Sequence, residues 1–344
     1  MIQNSNSVQR TIRFFLKEKV LLCSIIMFML VSVFSDAFLN AGNISNLLMQ
    51  IGLYGIVALG MTFAIIGGEF DLGVGSMVSL SSVLVVVLYS HVGLALSVTI
   101  AILAGILIGI VNGFLVAKAK INSFIVTFGS MITLKGIALT VANGVPVSSR
   151  SEGLNAFGDA RILGISLIFI MFAVLLLICH WVLTYTRFGR NIFAIGGNFN
   201  VASATGLKVN FLKGSLFVLT GFFAAISGVL MAARLNTGHP TVGDDIALTV
   251  IASVVIGGTS LSGGKGNVFR TLLGVFVMMF LSNAFDSLVI QPYIQRVIKG
   301  LIIISVVAVD SYNKKKINIS EGNIITRISG YIKYLINNRR GVVR

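Results

Sequence analysis

In a chain of 344 residues, 56% are hydrophobic and only 11% are charged, a balance with which no water-soluble fold could clothe its own surface in polar groups. The formal net charge of +15 sits in short connecting segments and in the C-terminal tail, where topology and attraction to anionic lipid account for it and nucleic-acid binding does not. Lipid is the solvent for most of this chain.

A spanning helix needs about 20 mostly apolar residues, because each residue rises about 1.5 Å and the hydrocarbon is about 30 Å thick. In chain order, such runs are Val20–Leu39, Ile44–Ile66, Leu72–Ser90, Gly93–Ala117, Ile121–Ala142, Leu163–Tyr185, Gly214–Ala233, Ile246–Gly258, Val268–Val289 and Tyr293–Asp310. Leu72–Ser90, Ile246–Gly258 and Tyr293–Asp310 are short or interrupted. The alternation of polar and apolar positions that marks barrel strands is missing. The expected fold is all-α, a polytopic membrane bundle of about ten transmembrane helices, one or two of them broken or short. Residues 1–19 form a basic N-terminus, 20–311 the membrane domain and 312–344 a basic tail in which an amphipathic interfacial helix is expected.

The first apolar run is too long for a signal core and lacks a small-x-small cleavage site near Asp36–Asn40, so it reads as a retained anchor. Cys23 and Cys179 lie inside apolar runs, where a thiol is a small hydrophobe, and indicate neither a disulfide nor a metal site.

Orientation follows from the basic residues. Placing the N-terminus inside puts most of the 26 Lys and Arg residues inside, namely those at 10–19, Lys118 and Lys120, Arg187, Arg190, Lys208 and Lys213, Lys265 and Arg270, and the tail. The positive-inside rule then gives ten crossings with both termini cytoplasmic.

Three polar segments carry the motifs. Ile65-Ile66-Gly67-Gly68-Glu69-Phe70-Asp71-Leu72-Gly73-Val74-Gly75-Ser76 sets two carboxylates among glycines close to the bilayer. Such charges are expensive unless they face a protein-lined cavity, water or a partner charge; the plain alternative is a cytoplasmic turn. The segment 186–213 holds Arg187-Phe188-Gly189-Arg190, Gly196-Gly197-Asn198, Ala202 and Gly206, and suits a short helix across the membrane face. It is either a docking surface or a basic connector. Ile256-Gly257-Gly258-Thr259-Ser260-Leu261-Ser262-Gly263-Gly264-Lys265-Gly266 superficially resembles a phosphate-binding loop, but Thr259 and Gly266 stand where that loop needs Gly and Ser or Thr. The Ile-Gly-Gly shared by the first and third segments hints at internal duplication.

Inside the runs, Lys135, Asp286, Arg296 and Lys299 are costly, with Asn112 and Asn283 as neutral companions. Lys135 lies deepest and points to a cavity or a structural pair, with acids such as Asp286 as partners; Arg296 and Lys299 are placed to snorkel. Gly105, Gly109 and Gly113 repeat every four residues, as close helix packing requires. His91, His180 and His239 are scattered singly, so spacing supports no catalytic constellation.

From about Asn43 to Asp310 the chain resembles the membrane permease subunits of bacterial ABC importers for monosaccharides, the ribose, xylose and galactoside group. The resemblance rests on Gly68 to Ser76, on Asn122-Ser123-Phe124-Ile125-Val126-Thr127-Phe128-Gly129, on the 186–206 loop and on Val255 to Gly264, in the family's order. Gly73 stands where serine is usual, Ser123 where proline is common, and the tail is long. The resemblance implies a non-catalytic transport subunit of the bacterial inner membrane with no cofactor of its own. Its partners would be a cytoplasmic ABC ATPase that binds ATP and magnesium, a second permease copy or a paralogue, and a periplasmic sugar-binding protein. It assigns ATPase coupling to Arg187, Gly189, Arg190, Gly196, Gly197, Asn198, Ala202 and Gly206. Pathway or gating roles fall to Gly67, Gly68, Glu69, Asp71, Gly73, Gly75, Asn112, Lys135 and Asn283, and binding-protein contact to Asp244 and Asp245. The alternatives are an ion-coupled secondary transporter, also built of broken helices, and a membrane-embedded enzyme or scaffold.

Overall fold

The computed structural model describes residues 39–305 and 307–308. The apolar run Val20–Leu39 (apart from Leu39), the basic N-terminus and the tail lie outside the described residues. The helices are α1 (Ala41–Ile66), α2 (Val74–Ala117), α3 (Ser123–Val141), α4 (Glu152–Asp159), α5 (Leu167–Tyr185), α6 (Arg187–Gly197), α7 (Phe199–Ala204), α8 (Val209–Leu235), α9 (Ile246–Ile256), α10 (Val268–Ser287) and α11 (292–305). Four two-residue strands, β1 (Val147–Ser148), β2 (Arg161–Ile162), β3 (Ile165–Ser166) and β4 (Thr237–Gly238), pair antiparallel as β1–β4 and β2–β3.

Among the described residues, α1, α2, α3, α5, α8 and α10 are long and apolar enough to cross a membrane. α2 is two helices fused in sequence, since Gly93 takes φ 77°, ψ 172° and folds residues 74–92 against 94–117. That left-handed φ is open to glycine at little cost. The resulting hairpin clasps α8. Gly228 lies against the Val78 carbonyl on one arm, and Gly105, Gly109 and Gly113 lie against Gly221, Phe217 and Gly214 on the other, so the small residues at four-residue spacing do bring two backbones together.

α1 is the central helix and is buried from Ile51 to Ile66 except for the half-buried Tyr54. Its glycines admit its neighbours: Gly52 and Gly55 face Ile168 and Phe172 of α5, and Gly60 faces Thr220 and Phe223 of α8. The apolar run Leu163–Tyr185 begins too early. Leu163 and Gly164, both at positive φ, form the β2–β3 turn, with Leu163 98% exposed, and α5 starts at Leu167 with the Ser166 hydroxyl accepting from the Ile168 amide. Asn122 caps α3 in the same way through the Phe124 amide. Ser123 is therefore the first residue of α3, a position where proline and serine are both tolerated.

The bundle has two unlike ends. At the basic end lie the α1 terminus, the α2–α3 turn with Lys118 and Lys120, α6, α7 and the 257–267 loop. At the far end lie Gly93, α4, both strand pairs and the 239–245 segment. Pro146 and Pro240 lie in connections and Pro292 opens α11, so the breaks that end α1 and α9 are made by glycine.

Candidate functional site: two broken spans and a paired-charge seam

α1 and α9 end in the same way. After Ile66, Gly68 takes φ +83° and the Glu69 amide donates to the Ala64 carbonyl at 2.9 Å; after Ile256, Gly258 takes φ +91° and the Thr259 amide donates to Val254 at 3.2 Å. Both are Schellman-type terminations, in which a left-handed glycine returns the next amides to orphan helix carbonyls. The repeated Ile-Gly-Gly is thus a repeated structural device. The two turns also meet, because the Gly264 amide donates to the Ile66 carbonyl at 2.8 Å.

Between α1 and α2 the chain crosses the interior without helix. Glu69 is buried and ion-paired with Lys213 of α8, whose ammonium also sits 4.9 Å from the Phe199 ring centroid. Asp71 is buried and accepts from the Thr220 hydroxyl and, at 2.9 Å, from the Gly73 amide. Gly73 is the N-cap of α2 and makes no side-chain cap bond, so Asp71 brings the negative charge and acceptor that the helix N-terminus favours. Ser130 of α3 donates to Asn112 of α2 at 2.6 Å beside the same turn.

The second broken span is its counterpart. Residues 239–245 leave the far end as irregular chain, and α9 starts only where Gly243 meets Gly75, each backbone occupying the space a Cβ would need on the other. Irregular backbone is tolerated at such depth when protein satisfies it. Here the Ser79 hydroxyl accepts from the Gly243 amide at 2.9 Å, and the Ser82 hydroxyl from the His239 amide at 3.3 Å. The adjacent acids then tie two other helices to this segment, with Lys135 of α3 on Asp244 at 2.8 Å and Arg296 of α11 on Asp245 at 3.3 Å.

Two cavities flank the 70–73 turn. The inner one, about 880 Å³, opens toward the basic end between Glu69, Lys120, Asn122, Phe199 and Lys213. The outer one, about 230 Å³, holds the Lys135–Asp244 pair. Phe70 lines the first and Leu72 the second, so buried Asp71 sits on the partition.

The sequence-derived coupling residues form a compact unit. α6 buries Gly189, Ile192 and Ile195, and Gly196 lies against the Ile66 carbonyl and the Gly264 amide. Its other face exposes Arg187 and Arg190. Gly197 has open space where a side chain would be; Asn198 caps α7 through the Val201 amide at 3.1 Å; Ala202 is buried and Gly206, at φ +80°, ends α7. Gly67, Gly68, Glu69, Asp71, Gly73, Gly75 and Asn112 gather along the two broken spans. Asn283 stands apart, exchanging amide hydrogen bonds of 2.9 and 2.7 Å with Asn43 between α10 and α1. Asp286 accepts from Gln295 at 3.0 Å, and the partner of Lys135 is Asp244.

Sequence reading passed over Lys213, Thr220, Ser130, Phe199 and Gly243. Lys213 counts in the sequence only as a basic loop residue. Its position within α8, the fourth residue after Val209, is the one signal that could have drawn it toward Glu69.

Residues 43–307 match the family described as branched-chain amino acid transport system / permease component. The chain is 34% identical over 317 residues to the ribose import permease protein RbsC of Haemophilus influenzae, covering 91% of this chain and 98% of that protein. It is 38% identical over 289 residues to RbsC of Bacillus subtilis, with 83% and 89% covered, and 31% identical over 363 residues to the xylose transport system permease protein XylH of Escherichia coli K12, with 86% and 92% covered. No solved structure matches the chain. With the match running through both broken spans and the α6–α7 unit, this multi-pass membrane protein belongs to that family of transport permeases.

Proposed function

We propose that the chain is the membrane subunit of an ATP-driven monosaccharide importer of the bacterial inner membrane. The basic end faces the cytoplasm, the chain crosses ten times, and the far end receives sugar from a periplasmic binding protein. A second copy or a paralogue completes the pathway. ATP and magnesium belong to a separate ATPase, and this chain performs no chemistry of its own.

The observation that carries this reading is the seating of α6. Its small face is pressed into the junction of the two helix breaks at Ile66 and Gly264, while Arg187 and Arg190 are left exposed on the opposite face. A partner gripping those guanidiniums acts directly on the junction, and packed junctions of this kind respond by switching between discrete arrangements. Glu69 and Asp71 are then displaced with the turn that separates the two cavities. Asp245, more than half exposed where it pairs with Arg296 at the far end, is placed for the binding protein, while Asp244 turns to Lys135 in the outer cavity.

Replacing Arg190 and Gly197 together should reduce copurification with the ATPase while membrane insertion is preserved. Unchanged copurification would refute the docking assignment. Labelling of a cysteine at Phe188 from the cytoplasmic side alone tests the orientation.

A further inference from the structure

We infer that the cavity around Lys135 and Asp244 is a binding station for a neutral monosaccharide on its way through the chain, an inference that rests on the importer reading above.

Its lining is divided by chemistry. Leu72, Met131, Ile132 and Ala247 form an apolar floor, and Ser76, Lys135 and Asp244 supply a hydroxyl, an ammonium and a carboxylate. A pyranose or furanose has the matching division, with C–H faces above and below the ring and hydroxyls around its edge. The volume of about 230 Å³ lies under the roughly 300 Å³ at which pockets for drug-sized ligands begin, so the occupant is a single small molecule.

The ion pair selects for charge. Lys135 and Asp244 neutralise each other at 2.8 Å, and both remain about 40% exposed, at 42% and 38%, so each keeps unused hydrogen-bonding capacity toward the cavity. The carboxylate can accept from two neighbouring sugar hydroxyls while the ammonium donates to a third oxygen, with no net charge buried. An anionic or cationic ligand finds no net charge to attract it here and can bind one partner only by competing with the other at 2.8 Å.

The position suits a transient station. The site lies beside the Gly75–Gly243 crossing, on the far side of the Asp71 partition from the larger inner cavity. With few polar groups and an open side, it can release its occupant when the partition moves.

The test uses the full-length chain with its ATPase and binding protein in proteoliposomes, and follows uptake of labelled D-ribose and D-xylose. The double variant Lys135→Met/Asp244→Leu keeps the bulk of the pair without its charge. We expect it to insert, assemble and retain association with both the ATPase and the sugar-loaded binding protein while sugar uptake falls at least tenfold. Uptake equal to the parent would overturn the inference and reduce the pair to a strut between α3 and the 239–245 segment. Absence of sugar uptake by the parent itself would instead sink the importer reading. Should the double variant fail to assemble, a second measurement decides. A Met131→Cys chain, read against the parent's own labelling, should react with a small methanethiosulfonate more slowly in 100 mM D-ribose, a concentration of about the weak-site range. No protection by either sugar overturns the station, and protection by L-leucine in their place overturns its assignment to a sugar.

Discussion

The amide of Gly264 donates to the carbonyl of Ile66 at 2.8 Å, joining the ends of two broken spans nearly two hundred residues apart. α6 is pressed against this bond through Gly196, whose α-carbon side offers no room for a methyl group against Ile66 and Gly264. Neighbouring Gly197 faces open space. Gly196→Ala should therefore weaken the seating of α6, lowering the melting temperature in detergent and transport together. Gly197→Ala should change stability by no more than about 0.5 kcal/mol. Equal effects of the two changes would contradict the packing described.

Glu69 is buried against Lys213. Removing one member of such a pair strands the other, so Lys213→Met should cost about 3 kcal/mol, moderated because Lys213 keeps partial access to water. Adding Glu69→Gln should recover most of that loss. Denaturation of the single and double variants in the same detergent checks the coupling.

The Gly75–Gly243 crossing tolerates no side chain on either backbone. Alanine at Gly243 should destabilise by about 1–3 kcal/mol, the usual range for overpacking, and should separate α9 from α2. A cysteine at Ile246, fully buried and outside both cavities, should be quiet with Gly243 in place and reactive from the far side once alanine replaces it, as thiol labelling can show.

Asn283 and Asn43 exchange two hydrogen bonds between α10 and α1. Asn283→Leu should cost about 1 kcal/mol, since two hydrogen bonds to the half-buried Asn43 are lost. Sugar uptake per folded molecule should stay near the parent value, because neither cavity is lined by this pair. Uptake by the assembled complex, normalised to its amount in the membrane, separates the two effects.

Much of this protein is set by local composition. Apolar length marked the six described helices that are long enough to cross lipid, because an unpaired backbone cannot exist there. Four-residue glycine spacing marked the face of α2 that meets α8, and Ile-Gly-Gly marked the two helix ends, since a left-handed residue is a local requirement. Lys and Arg placement marked one end of the bundle as basic. Tertiary structure alone decided the pairings. Lys213 with Glu69, Lys135 with Asp244 and Thr220 with Asp71 link residues more than a hundred positions apart, and any of several acids could have served each cation. Which one does depends on helix rotation and on the depth of each break, quantities that close backbone contacts such as Gly75 on Gly243 determine and that no periodicity records.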